Sequence, residues 1–233
     1  GRKQLQVETL IPVMAPQTCA EPVVAMDEWA SKIVLAGYGL GIPKGRSCDE
    51  SAVLKTADSL GFPVVLKAVS AELSHKTEAG AVAINLQDSV ALSAALDLMS
   101  ENFDQFLVEE MIGSVVAEII MGISRDETFG LTLMVGAGGT LVELLDDTAS
   151  LLLPLQPGDV EEAIAKLKIG KLIDGYRSDE AGDKAGLIDA VHAIGRYAVD
   201  HAGSILELDV NPVLVLTDRV VAVDAYIRKS DNT

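Results

Sequence analysis

The chain has 233 residues, 49% of them hydrophobic, enough for one large domain or two small ones sharing a cleft. A net charge of −17, with only four Phe, four Tyr and one Trp, argues against general binding of nucleic acid or of an anionic membrane. No apolar run reaches the roughly 20 residues of a membrane span, no secretory signal pattern opens the chain, and Cys19 and Cys48 build no disulfide framework, which suits a reducing cytoplasm. An anionic ligand such as a nucleotide would need local cations in so acidic a chain, so each Lys and Arg is informative.

Residues 1–25 carry three prolines and no clear period, and are expected to form an arm or linker. From Met26 a helix is expected, with Met26, Trp29, Ile33 and Ala36 as its stripe and Gly37, Gly39 and Gly41 as its stop. Ile42–Arg46 reads as a short extended piece. Asp49 can cap a second helix that runs to about Leu60, ended by Gly61 and Pro63. Val64–Ala68 is a β-type run with Lys67 in its middle. An ammonium within a buried strand must find a partner, either a carboxylate or the sheet edge in a structural role, or the phosphates of a ligand in a functional one.

Ser70–Gly80 is polar and offers His75 beside Lys76; with a strand expected at Ala81–Leu86, it reads as a flap joining two strands. A helix over Asp88–Met99 places Leu92, Leu96 and Met99 on one face. Strands are expected at Gln105–Met111 and at Val115–Ser124, the latter carrying Glu118 among apolar neighbours. Gly130–Gly139 runs from a strand into a Gly-Ala-Gly-Gly turn, after which Thr140–Leu145 reads as another strand. Glycines let backbone N–H groups approach phosphates, yet an ordinary hairpin turn looks the same, and no helix follows as a P-loop or dinucleotide motif requires. Asp159–Leu167 and Lys184–Ala202 are helical by period; Leu187, Val191, Ile194 and Ala198 form the stripe of the second. His192 and His201 lie on or near that stripe and read as structural or surface residues.

The chain closes on an acidic hairpin, Ser204–Leu216 and Val220–Arg228 joined at Thr217–Arg219. Glu207, Asp209 and Asn211 are two apart and share one side of the pleat. Asp224 interrupts the second apolar run. Oxygens in such a setting suit a hard divalent ion such as magnesium, which takes one or two protein ligands and the rest from phosphate and water; solvated or ion-paired acids are the plainer alternative.

Several segments in this order closely resemble one family: Gly61-Phe-Pro-Val-Val-Leu-Lys67, Ser74-His-Lys-Thr-Glu-Ala-Gly-Ala-Val82, Arg125-Asp-Glu-Thr-Phe-Gly130, Val135-Gly-Ala-Gly-Gly139 and Glu207-Leu-Asp-Val-Asn-Pro212. They look like the ATP-grasp module of nucleoside-diphosphate-forming acyl-CoA synthetases. That group includes the ADP-forming acetyl-CoA synthetase β subunit and is related to the succinyl-CoA synthetase β subunit. The resemblance spans about Met26 to Arg228. It implies a mixed α+β, ATP-grasp fold whose two lobes clamp a nucleotide, with lobe 1 at residues 26–107 and lobe 2 at 108–233. It also implies an acid–thiol ligase that needs ATP or ADP and Mg²⁺, and that is incomplete without a CoA-binding portion on an α subunit or an upstream domain. CoA and the carboxylate would bind through that partner.

By the same resemblance, Lys67 contacts the α and β phosphates, the backbone of Glu109-Glu110-Met111 reads the adenine edge, and Glu118 holds the ribose. Gly138 and Gly139 belong to the glycine turn against the nucleotide. Asn211 and Asp224 are the magnesium ligands, Asp209 steers an incoming phosphohistidine, and His75 accepts the phosphoryl group beside the nucleotide. Glu207 is left without an assigned role. Members of the family carry an arginine about where Leu151 stands, and its loss leaves Arg125 as the remaining phosphate-binding arginine. An acidic chain with exposed docking faces is expected to form a homo-oligomer or to join its partner portion. Two other readings compete: a regulatory module of a protein acetyltransferase fusion, and another ATP-grasp carboxylate ligase that works through a free acyl phosphate.

Overall fold

A computed structural model describes residues 23–69, 80–126, 128–139, 147–175 and 180–231. In chain order these form β1 (Val23–Met26), α1 (Glu28–Ala36), β2 (Gly45–Asp49), a short 3-10 turn, α2 (Val53–Leu60), β3 (Val64–Ala68), β4 (Val82–Leu86), α3 (Ser89–Ser100), β5 (Gln105–Glu110) and β6 (Ala117–Asp126). There follow β7 (Gly130–Ala137), β8 (Thr148–Leu152), α4 (Asp159–Lys166), α5 (Gly170–Ile173), α6 (Lys184–Asp200), β9 (Ile205–Val215), β10 (Val220–Ala222) and β11 (Tyr226–Ser230). Among the described residues no helix is long and apolar enough to cross a membrane.

Two antiparallel sheets organise these elements. The smaller has the order β2-β5-β3-β4; the larger runs β1-β11-β9-β6-β7-β8, with β10 also paired to β9. Each sheet buries one face under helices. The smaller packs Val64, Leu66, Phe106 and Val108 against Val53 and Ala57 of α2 and Leu92, Leu96 and Met99 of α3. The larger packs Ile119, Met121, Leu133, Val135, Leu208 and Val210 against Leu35 of α1, Val160 and Ile164 of α4, and Leu187, Val191, Ile194 and Ala198 of α6. Each Val, Leu, Ile, Phe or Met among them contributes about 1.5–3 kcal/mol when fully buried. The stripes expected for α3 and α6 are therefore the ones that pack.

Four expectations from the sequence need correction. The arm of residues 1–25 reaches the described residues only at Val23–Ala25, and these form β1, which pairs with β11 from Val23↔Ser230 to Met26↔Ile227. β1 and α1 thus lie with the larger sheet, although the sequence grouped residues from Met26 onward with the smaller one; Leu35 and Leu40 belong to the larger core. The stripe of α1 is also different. Glu28, Ser31, Lys32 and Leu35 are buried, whereas Ile33 is 47% exposed, because this helix turns a charged face inward. Finally, Asp49 makes no side-chain bond to a helix N–H; its carboxylate takes the Ser51 hydroxyl at 2.5 Å instead. The expected strand at Thr140–Leu145 and the flap up to Ala79 lie outside the described residues, while β8 lies where the sequence indicated no element.

The closing hairpin is split. β10 pairs with the far half of β9 (Val220↔Val215, Ala222↔Val213) and β11 with the near half (Tyr226↔Asp209, Arg228↔Glu207). Residues 223–225 between them leave the ladder. Opposite this gap β9 bulges: Ile119 pairs Val213 and Met121 pairs Val210, so two steps on β6 span three on β9. The extra residue lies at Asn211–Pro212, where proline cannot donate to a ladder. Such a bulge re-aims side chains.

Candidate functional site

The uncovered faces of the two sheets meet at a cavity of about 1160 Å³, a size that holds a cofactor or nucleotide. Lys67 and Ile84 line it from the smaller sheet, Ser124 and Met134 from β6 and β7, Glu207, Asp209 and Asn211 from β9, and Asp224 and Arg228 from the end of the chain. Alternation along β9 explains the acidic wall: Leu208 and Val210 enter the core, so Glu207, Asp209 and Asn211 face the cavity. The bulge carries Asn211 and the ladder gap carries Asp224, which brings two oxygen-bearing side chains to one place from positions 13 residues apart (224 − 211).

Lys67 reaches the cavity from a fully buried strand. Its Nζ lies 2.6 Å from Glu28 Oε1 and 3.1 Å from Glu109 Oε2, and it donates to the Val223 carbonyl at 2.5 Å. Burial opposes its charge, but Glu28, then Glu109 and Asp224, hold the ammonium above its ordinary pKa. Lys32 shares the same acceptors, at 2.7 Å from Glu28 Oε1 and 2.5 Å from Glu109 Oε1. Its pKa is lowered, by burial first and by the Lys67 ammonium next. Sequence reasoning missed Glu28 and Lys32. An i,i+4 Glu–Lys pair on a helix has the signature of an exposed ion pair, and only the fold turns it inward.

Asp209 is a perturbed acid on this wall. Burial, then Asp224, then Glu207 push its carboxyl up to about 6. Glu207 is paired with Arg228, directly opposite on β11, at 3.1 Å. Arg125 lines the cavity, and its guanidinium also donates to the Ala202 carbonyl beyond α6. Leu151 lies opposite Leu133 and packs on the helix-covered core. An arginine in its place would point away from the cavity, so the departure at 151 removes no cation from it.

The segment expected to read a base edge is only partly open. Glu109 lies in β5, with β2 on one side and β3 on the other, and its side chain belongs to the lysine cluster. The N–H of Glu110 donates to Lys44 O at 2.8 Å and that of Met111 to Pro63 O at 3.1 Å. In this structure these two backbone donors are engaged by Lys44 and Pro63, which precede β2 and β3. Just beyond, Ile112 joins Leu214, Leu216 and Val221 in a separate apolar cluster. Glu118 is exposed on β6. Gly138 donates to its carbonyl at 2.7 Å, and a Cβ on Gly139 would stand 2.7 Å from its carboxylate, so the glycine turn and Glu118 are in contact. Gly139 has φ +73°, the left-handed region that favours glycine. His75 lies outside the described residues.

Among the described residues no three His, Cys, Asp or Glu side chains converge as a metal cage. Asn211 and Asp224, an amide and a carboxylate on the cavity wall, fit magnesium, which needs only one or two protein oxygens when phosphates and water complete its shell.

Two antiparallel sheets that close on a lysine from one side and a bulged acidic strand from the other define a nucleotide clamp. The chain belongs to the ATP-grasp domain family, whose model matches residues 17–228. It is 30% identical over 91% of its length to the acetate–CoA ligase (ADP-forming) II subunit beta of Pyrococcus furiosus, and covers 94% of that protein. It is 34% identical to acetate–CoA ligase (ADP-forming) II of Archaeoglobus fulgidus, a longer chain of which it covers 30%. Among solved structures it is similar to the dinucleotide forming acetyl-coenzyme A synthetase 1 of Ca. Korarchaeum cryptofilum in complex with coenzyme A and Mg-AMPPCP, with its phosphohistidine segment pointing towards the nucleotide-binding site. The TM-score is 0.77 at 34% identity, over 86% of this chain and 90% of that one.

Proposed function

We propose that this chain is the nucleotide-binding part of an ADP-forming acyl-CoA synthetase, an acid–thiol ligase in which phosphoryl transfer between ATP or ADP and a phosphohistidine couples acyl-CoA and carboxylate interconversion to the nucleotide. The observation that carries this is the cavity wall, where the bulge at Asn211 and the ladder gap at Asp224 bring two metal-type oxygens together opposite Lys67. Phosphoryl transfer asks a protein chiefly for positioning and charge neutralisation. Lys67 supplies a fixed positive charge to the phosphates. Asn211 and Asp224 hold the magnesium ion, which when bound supplies further neutralisation of phosphate charge. Asp209 orients an incoming histidine, and its carboxyl, pushed up to about 6, is suited to exchange a hydrogen bond with an imidazole. Glu118 and the Gly138–Gly139 turn hold the sugar side, and the Ile112–Leu214–Leu216–Val221 cluster offers an apolar surface for the base. Arg125 assists at the phosphate end, and His75 takes the phosphoryl group beside the nucleotide. The CoA-binding portion is a separate subunit or an upstream domain, and the assembled enzyme works in the cytoplasm.

The test is calorimetric titration of Mg·ADP and Mg·ATP into the parent protein, Asp224→Asn and Lys67→Met, with unfolding curves as the folding control. Magnesium-dependent binding by the parent and its loss in both variants is expected. Absence of binding by the parent, or parental affinity in both folded variants, overturns the proposal. Adding a CoA-binding portion should then give acid-dependent ADP release.

A further inference from the structure

Lys32 and Lys67 share a cluster in which two ammonium groups balance two carboxylates. Both lysines contact Glu28 and Glu109 and both donate to the Val223 carbonyl, Lys32 at 3.2 Å and Lys67 at 2.5 Å. The burial of the four differs. Lys32, Glu109 and Glu28 are 0%, 1% and 3% exposed, while Lys67 is 8% exposed and borders the cavity. Lys32 therefore has no surface on which to touch a ligand. Lys67 has one, but the bonds to Glu28, Glu109 and Val223 engage its ammonium fully. For Lys67 to turn to a phosphate, the two glutamates must give it up, and a buried carboxylate left without a cation is strongly disfavoured.

We propose that Lys32 is a positioning residue for Lys67. It keeps Glu28 and Glu109 neutralised when Lys67 exchanges them for phosphate oxygens, so the charge of Lys67 becomes available to the ligand. Glu28 and Glu109 then act as stand-ins for phosphate, holding Lys67 extended towards the cavity until the ligand arrives. Without Lys32, Lys67 alone faces two carboxylates, and the phosphate must compete with both. This inference rests on the nucleotide reading above.

Mg·ADP affinity is measured by calorimetry for the parent, Lys32→Met, Glu28→Gln and the double variant, each with an unfolding curve. Lys32→Met should weaken binding on the order of tenfold or more, the scale of one unbalanced charge a few ångströms away, although Lys67 is untouched. Glu28→Gln should tighten binding, because one competitor for Lys67 is removed. The double variant, with one lysine facing one glutamate, should recover most of the affinity lost in Lys32→Met; a merely structural role for Lys32 would give no such rescue. Parental affinity in folded Lys32→Met, weaker binding in Glu28→Gln, or a double variant no tighter than Lys32→Met overturns the proposal. If Lys32→Met does not fold, the direction of the change in Glu28→Gln decides. A parent that binds no nucleotide refutes the nucleotide reading itself, whereas a parent that binds and variants that do not respond refute only the role of Lys32.

Discussion

Glu109→Gln removes one charge from the lysine cluster and keeps the shape of the side chain, so no cavity effect enters. Lys32 and Lys67 are then left with Glu28 and the field of Asp224. Lys32 is the one to yield its proton. It is 0% exposed, and burial and the neighbouring ammonium already lower it from the ordinary 10.5. Neutralising a lysine of that ordinary value at pH 7 costs about 5 kcal/mol, at about 1.4 kcal/mol per pH unit, which sets a ceiling on the loss. Breaking a buried pair costs about 3–5 kcal/mol, so both routes give the same range. For a chain of this size that lowers the Tm by roughly 6–20 °C. The sign with pH follows from linkage. With Lys32 neutral in the folded variant and protonated when unfolded, the unfolded state binds more protons, so the deficit against the parent shrinks as pH rises. Between pH 7 and 9 the recovery approaches about 1.4 kcal/mol per unit. Thermal and urea unfolding of both proteins at pH 7, 8 and 9 reads this directly. A deficit that is absent, or that does not change with pH, refutes the account of the cluster.

Two further outcomes follow from positions outside the cavity. Asp147 is buried and accepts the N–H groups of Lys168 and Ile169 at 2.7 and 2.8 Å, one on each carboxylate oxygen; Asp147→Asn leaves one of them unpaired and should cost about 1.5–3 kcal/mol in urea unfolding, with Mg·ADP affinity unchanged. Leu151→Arg should lower stability by about 1–3 kcal/mol without strengthening nucleotide binding, since position 151 packs on the helix side of the larger sheet; tighter Mg·ADP binding in this variant would refute that placement.

Legibility in the sequence followed the hydrophobic pattern. Leu92, Leu96 and Met99, and Leu187, Val191, Ile194 and Ala198, are apolar on one face and polar elsewhere, and they pack as their period indicates. α1 breaks that rule because its buried face holds Glu28 and Lys32, so a count of apolar residues selects the wrong side. Lys67 was legible for the opposite reason: a lone charge within Val64–Ala68 demands a partner, and local pattern alone names the anomaly. It could not name the partners, which come from 39 and 42 residues away on either side (67 − 28 and 109 − 67).

The acidic closing strand shows where the boundary lies. Its period-2 pattern determined that Glu207, Asp209 and Asn211 share a face, because side chains in a strand alternate whatever the fold around them. The sequence also determined the family, through several motifs kept in one order. What only the tertiary structure decided is the division of labour on that face. Glu207 is matched by Arg228 because the β9–β11 register sets them opposite each other. Asn211 and Asp224 come together because a bulge in β9 faces a gap between β10 and β11. Lys67 is poised rather than free because α1 delivers Glu28 and Lys32 against it. Pairing register and helix docking depend on contacts between distant segments, which a local pattern does not encode.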